Sequence, residues 1–168
     1  MYMIPTPWVS SAFYAAMAAA AGPAAIVPAA AAWPSANRAI YIPVWFPFST
    51  LIVDMRVGFT TAAGNYDIGL YDSNFGLIEA KGSAAVSNAA HIFTLTKPQR
   101  VRAGAIYYAA LVLSSISDSC YRSAPSGVAG VSSNLAQEAL GSTTLPSTAT
   151  PAVQSDPCYV PLFAYGLR

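Results

Sequence analysis

NYDIGLYDSNFGLIEAKG, residues 65–82, decides how the chain is read. Polar and apolar residues alternate along its first half, so Tyr66, Ile68 and Leu70 share one face while Asp67, Gly69 and Tyr71 share the other. Asp-Ser-Asn-Phe-Gly then forces a tight reversal and the chain runs back, the signature of a β-hairpin. Asp72, Asn74 and Gly76 have a superficial calcium-loop spacing, but the ladder of ligands stops at the turn and no closing Glu follows. Asp72 and Asn74 are therefore read as turn residues that tolerate the left-handed region and bond their own backbone.

The same period of two extends outward in both directions. TLIVDMRVGFT (50–60) places Leu51, Val53, Met55, Val57 and Phe59 on one face, opposite Asp54, Arg56 and Gly58. RAIYIPVWFPF (38–48) alternates too, but Pro43 and Pro47 cannot donate to a ladder and confine it to an edge or a broken strand. AAHIFTLT (89–96) predicts a further strand, and AGAIYYAALVLSS (103–115) a buried one, since it is apolar throughout and rich in β-branched and aromatic residues. SDSCYRSA (117–124) and PCYVPLFAYG (157–166) supply two more. Between them SSNLAQEALGS (132–142) predicts one short helix, with Asn134 as N-cap, Gln137 three residues on and Gly141 just past the end. STTLPSTATPAVQSDP (142–157) is read as a loop. The fold class is thus all-β, a jelly-roll-like antiparallel sandwich over 38–168, with Leu51, Val53, Val57, Ile68, Leu70, Tyr108 and Leu111 in its core.

Residues 1–37 read differently. The stretch is rich in Ala and Pro and has no charge before Arg38. With no basic residue ahead of the apolar run, and with Pro23 and Pro28 interrupting it, neither a leader peptide nor a membrane span is expected. Residues 11–21 suit a short Ala-rich helix stopped by Gly22-Pro23, and the rest should run extended. An arm with so little to bury is expected to lie along another subunit or a different protein, with Tyr2, Trp8, Phe13, Tyr14 and Trp33 as anchors.

Composition points the same way. Hydrophobic residues make up 55% of the 168 and charged residues 9%, against roughly a quarter charged in ordinary domains. Such a chain is expected to hide part of its surface in a homo-oligomer, most simply a trimer. A net charge of +1 with dispersed Lys and Arg argues against nucleic acid. Cys120 and Cys158 lack any zinc spacing and are read as two small apolar side chains, with a disulfide between late strands as the alternative. The single His91 is read as a sheet-surface residue pointing away from Ile92, and the seven carboxylates (Asp54, Asp67, Asp72, Glu79, Asp118, Glu138, Asp156) are isolated in sequence. No catalytic, cofactor or metal constellation is expected. Trp45, Tyr71 and Tyr121 are the candidates for stacking a glycan.

The run from RAIYIPVWFPF through NYDIGLYDSNFGLIEAKGSA, with RVRAGAIYYAALVL and the closing YVPLFAYGLR, resembles a family of small tailed-bacteriophage virion proteins. The likeness covers roughly residues 38–168. It implies a jelly-roll sandwich in an assembled particle, often trimeric, serving as a capsid decoration (cement) protein or a tail or fibre component. The partners implied are further copies of the chain, other virion proteins such as the major capsid protein, and in the tail role a host surface glycan. Nucleic acid and membrane are not among them, and the location implied is the virion, assembled in the host cytoplasm.

Overall fold

The computed structural model describes residues 29–123, 136–153, 160–161 and 163–168. Among these residues the chain forms thirteen β-strands and no helix. They are β1 (Ala29–Ala32), β2 (Arg38–Trp45), β3 (Thr50–Thr61), β4 (Asn65–Tyr71), β5 (Leu77–Ala80), β6 (Ala84–Ala85), β7 (Ala90–Val101), β8 (Ile106–Leu113), β9 (Ser119–Ser123), β10 (Ala136–Ala139), β11 (Ala152–Val153), β12 (Val160–Pro161) and β13 (Phe163–Leu167). Two antiparallel sheets result. One runs β1-β9-β3-β13, with β7 also on β3 and β12 on β9; the other runs β11-β10-β2-β8-β4-β5, with β6 on β4.

Both sheets contribute to one core. Ile40, Ile42, Val44, Tyr66, Ile68, Leu70, Ala109, Leu111 and Leu113 face it from the second sheet. Ile52, Met55, Val57, Phe59, Phe93, Leu95, Cys120 and Tyr165 face it from the first. The expected core members Val57, Ile68, Leu70 and Leu111 lie there. Leu51 and Val53 do not, because a register shift between Ile52 and Asp54 changes which face each residue occupies and brings Ile52 inward instead. Tyr108 also departs from expectation. It sits one residue out of step with Ala109, so it faces outward and stacks on Phe75, ring centroids 4.2 Å apart.

The outer face of the second sheet is itself covered. Residues 140–150 lie across it as a strap and make a second apolar cluster of Ala39, Tyr41, Tyr71, Ala110, Val112, Leu145 and Ala149. Every residue of β4 after Asn65 is buried for this reason. Hydrogen bonds tie the strap down: Tyr71 Oη donates to Pro146 O (2.7 Å), Leu77 N to Ser147 O (2.9 Å) and Leu145 N to Asp67 Oδ2 (2.9 Å). Leu145 Cδ1 lies 2.9 Å from where a Cβ on Gly69 would sit, so the close approach needs glycine there.

The helix expected over 132–142 is corrected where the chain is described. Ala136–Ala139 is a strand, antiparallel to Arg38–Tyr41 on one side and to β11 on the other. Cap signals are local and worth about 1 kcal/mol, and a helix this short is marginal on its own. The strand gains ladder bonds and places Glu138 where Tyr41 Oη (2.9 Å) and Thr150 Oγ1 (2.9 Å) donate to it. β10 begins at Ala136 opposite Tyr41 and runs toward Arg38, so Pro43 lies beyond the stretch of β2 paired on that side.

The hairpin turn is closed as expected by Asp72, whose Oδ1 accepts from Asn74 N (2.8 Å) and Gly76 N (2.9 Å). The left-handed residue is Phe75 (φ 60°), not Asp72 or Asn74. Its ring reaches Tyr108 and Tyr41, and that packing offsets the roughly 1–2 kcal/mol cost of the backbone conformation.

Candidate functional site: an apolar groove on the open sheet

Trp33 corrects the arm boundary. It is only 2% exposed, belongs to the main core and donates from Nε1 to Arg38 O (3.0 Å). Just before it, β1 pairs with β9 along its whole length. An indole this large gains more by filling its own domain's core than by reaching a neighbour. Residues 29–37 thus join the fold rather than an arm. Tyr2, Trp8, Phe13 and Tyr14, like the helix expected over 11–21, lie outside the described residues, as does Cys158. Cys120 is buried in the core.

The three glycan candidates do not come together. Tyr71 is fully buried beneath the strap, its ring 5.3 Å from Tyr41 and burial pushing its hydroxyl pKa up. Trp45 is exposed but stands opposite Ile106 on the second sheet. Tyr121 is exposed on β9 of the first sheet. Two outward aromatics on different sheets cannot form one platform.

His91 reverses the expected faces. Its ring turns to Phe59 and Tyr66, with Nδ1 3.0 Å from Tyr66 Oη, and Ile92 is the outward residue at 54% exposure. Nε2 accepts from Ser87 N (3.1 Å) and lies 2.9 Å from Ser87 Oγ. A serine beside a histidine invites a catalytic reading. Here, however, the serine's own backbone N–H also occupies Nε2, so the contact closes the 87–91 turn.

The described carboxylates are engaged structurally. Asp54 accepts from Arg56 Nε (2.8 Å) and Gly166 N (3.1 Å), Asp67 from Gly82 N (2.8 Å) and Leu145 N, and Asp118 from Ala63 N (2.6 Å) and Gly64 N (3.1 Å). Among the described residues no cluster of three or more His, Cys, Asp or Glu is placed to hold a metal ion, and no helix is long and apolar enough to cross a membrane.

What the first sheet does present is a groove of about 330 Å³ on its outer face. It lies where β9 leaves β3 and β13 takes over the pairing: Phe59 pairs with Cys120, and Val57 with Phe163. Gly58 makes the depression. The Tyr121 ring lies over it so closely that a Cβ there would come within 2.7 Å of Cδ2. Ile92, Ala90, Ala164 and the stem of Arg56 complete the lining. The Arg56 guanidinium is held by Asp54, and that hydrogen bond raises its pKa further. The lining is apolar, with Arg56 its one charged member.

Sequence reading singled out Tyr121 but missed Gly58, Ile92 and Ala164. The one signal in the sequence was a glycine on the polar face of β3, and nothing local marks Ile92 as outward. No family model, curated protein or solved structure matches the chain.

Proposed function

We infer that the chain is a non-enzymatic structural subunit of a tailed-bacteriophage virion, a homotrimeric capsid decoration (cement) protein that stabilises the particle through subunit contacts. The observation that carries the reading is the uneven cover of the two sheets. The chain's own strap covers the second sheet over Ala39, Tyr41, Tyr71, Ala110 and Val112, leaving Trp45 and Ile106 exposed at its end. Among the described residues the other sheet leaves Ile92 and Tyr121 around an apolar groove. In a chain with 9% charged residues, such a face is suited to other protein surface rather than to water.

The finer fold supports the same reading. We read the orders β1-β9-β3-β7 and β2-β8-β4-β5 as a jelly roll, two interleaved Greek keys, an architecture common in virus particles. The resemblance of residues 38–168 to virion proteins supplies the particle, and the neighbour it implies is the major capsid protein. No cofactor, nucleic acid or membrane enters this role. Light scattering at micromolar concentration tests the assembly: the expected mass is three times the chain's 17.5 kDa. Mass spectrometry of gradient-purified particles tests the location. A monomer that is also missing from particles refutes both. The alternative, a tail or fibre component that binds host glycan, rests on exposed Tyr121 alone, and glycan-array binding abolished by Tyr121→Ala would favour it.

A further inference from the structure

The groove and the N-terminal segment are complementary in chemistry, and the segment's attachment point at Ala29 lies on the strand paired with β9, which borders the groove. The lining offers apolar surface and one arginine already committed to Asp54. It can return little to a charged ligand and few hydrogen bonds to sugar hydroxyls. It suits an uncharged extended peptide whose prolines and aromatics pack against a tyrosine. Residues 1–28 are such a peptide. They contain no Asp, Glu, Lys, Arg or His, and carry Pro5, Pro7, Pro23 and Pro28 together with Trp8, Phe13 and Tyr14.

The point of departure matters as much as the chemistry. Among the described residues β1 is an edge strand, with Ala30 opposite Tyr121 and Ala29 opposite Arg122. Ala29, the first described residue, therefore lies beside the strand that carries the groove's aromatic. Fully extended, the segment reaches about 90 Å, ample for a neighbouring subunit.

We propose that the groove around Gly58 and Tyr121 receives residues 1–28 of a second copy of the chain, with the Pro5–Trp8 stretch packed on Tyr121. This rests on the assembly reading above and names the contact that makes it.

The test uses the full chain with a photoreactive benzoylphenylalanine replacing Trp8, light and ¹⁵N-labelled chains being mixed during assembly. The expected result is cross-linking from position 8 to peptides containing Gly58, Ile92 or Tyr121, joining light to heavy chains. Ile92→Asp should lower that yield at least about tenfold, because a carboxylate buried in an apolar contact costs that much binding or more. Tyr121→Ala, which removes only an exposed ring, should lower it in the same direction with the β-sheet circular dichroism unchanged. Cross-links to another surface, cross-links confined to chains of one isotope, or yields insensitive to both variants overturn the proposal. Light scattering on the same sample separates the two levels: an oligomer cross-linked elsewhere overturns only the groove, whereas a monomer overturns the assembly reading with it.

Discussion

Asp67 is the most informative residue to perturb, because one buried carboxylate joins the hairpin to the strap. Its Oδ1 accepts from Gly82 N at 2.8 Å and its Oδ2 from Leu145 N at 2.9 Å. A hydrogen bond to a charged group contributes about 1.5–3 kcal/mol, so the two together give a gross 3–6. Burial opposes this, and desolvation is strong enough to raise the Asp67 pKa despite the N–H donors and nearby Lys81. Asp67→Asn keeps the shape and one acceptor but turns an NH₂ toward the remaining backbone N–H. Losing one bond while relieving the charge leaves a net cost of about 2 kcal/mol. Urea unfolding at pH 7 measures it, and amide exchange should show Leu145 N–H losing protection before the sheet does. The pH dependence carries a sign. A raised folded-state pKa means that the folded chain binds more protons than the unfolded one. The contribution of Asp67 is therefore fullest below the ordinary value of 3.8 and declines as pH rises through the folded value. The wild-type advantage over Asp67→Asn should accordingly be larger at pH 4 than at pH 7. A cost below about 0.5 kcal/mol, with Leu145 still protected, would refute the anchoring argument.

Other outcomes follow from single contacts. Gly166→Ala would place a Cβ between 2.3 and 2.8 Å from three atoms of the Asp54 carboxyl group, and should cost about 2 kcal/mol by breaking the Asp54–Arg56 arrangement; an unchanged urea midpoint would contradict it. Trp33→Ala empties a core site and should cost about 3–5 kcal/mol, read as a lower Tm, whereas an inter-subunit anchor would leave the isolated chain's Tm unmoved. Glu138→Ala strips the Tyr41 hydroxyl and Thr150 of their acceptor, for about 1–3 kcal/mol, and should raise protease sensitivity in 140–150 before elsewhere.

The alternation in 50–60 and 65–71 was enough to find β3, β4 and the hairpin, because a period of two survives wherever one face is buried. It failed at Leu51 and Val53, since a bulge leaves no mark in the pattern that precedes it. Tyr71 was misassigned for a different reason. Alternation says that it lies opposite Ile68 and Leu70, but not that a strap from seventy residues later will cover that face. The 136–139 strand was hidden because its cap-like residues are local, while Tyr41 and Thr150, which fix its conformation, are distant in sequence. The groove was least legible of all. It is made by a missing side chain at Gly58, and only the placement of Tyr121 over that gap gives the glycine meaning.

That groove also imposes an order on events during synthesis. Its lining is drawn from β3, β7, β9 and β13, so Arg56 and Ala164, neighbours across the groove, are separated by most of the chain. A nascent polypeptide that has reached the end of β9 carries Gly58, Ile92 and Tyr121, yet cannot complete the surface until Phe163–Leu167 pairs with β3. On the assembly proposed above, half-made chains on neighbouring ribosomes would lack a finished docking surface, and competence to associate would arrive only when β13 pairs.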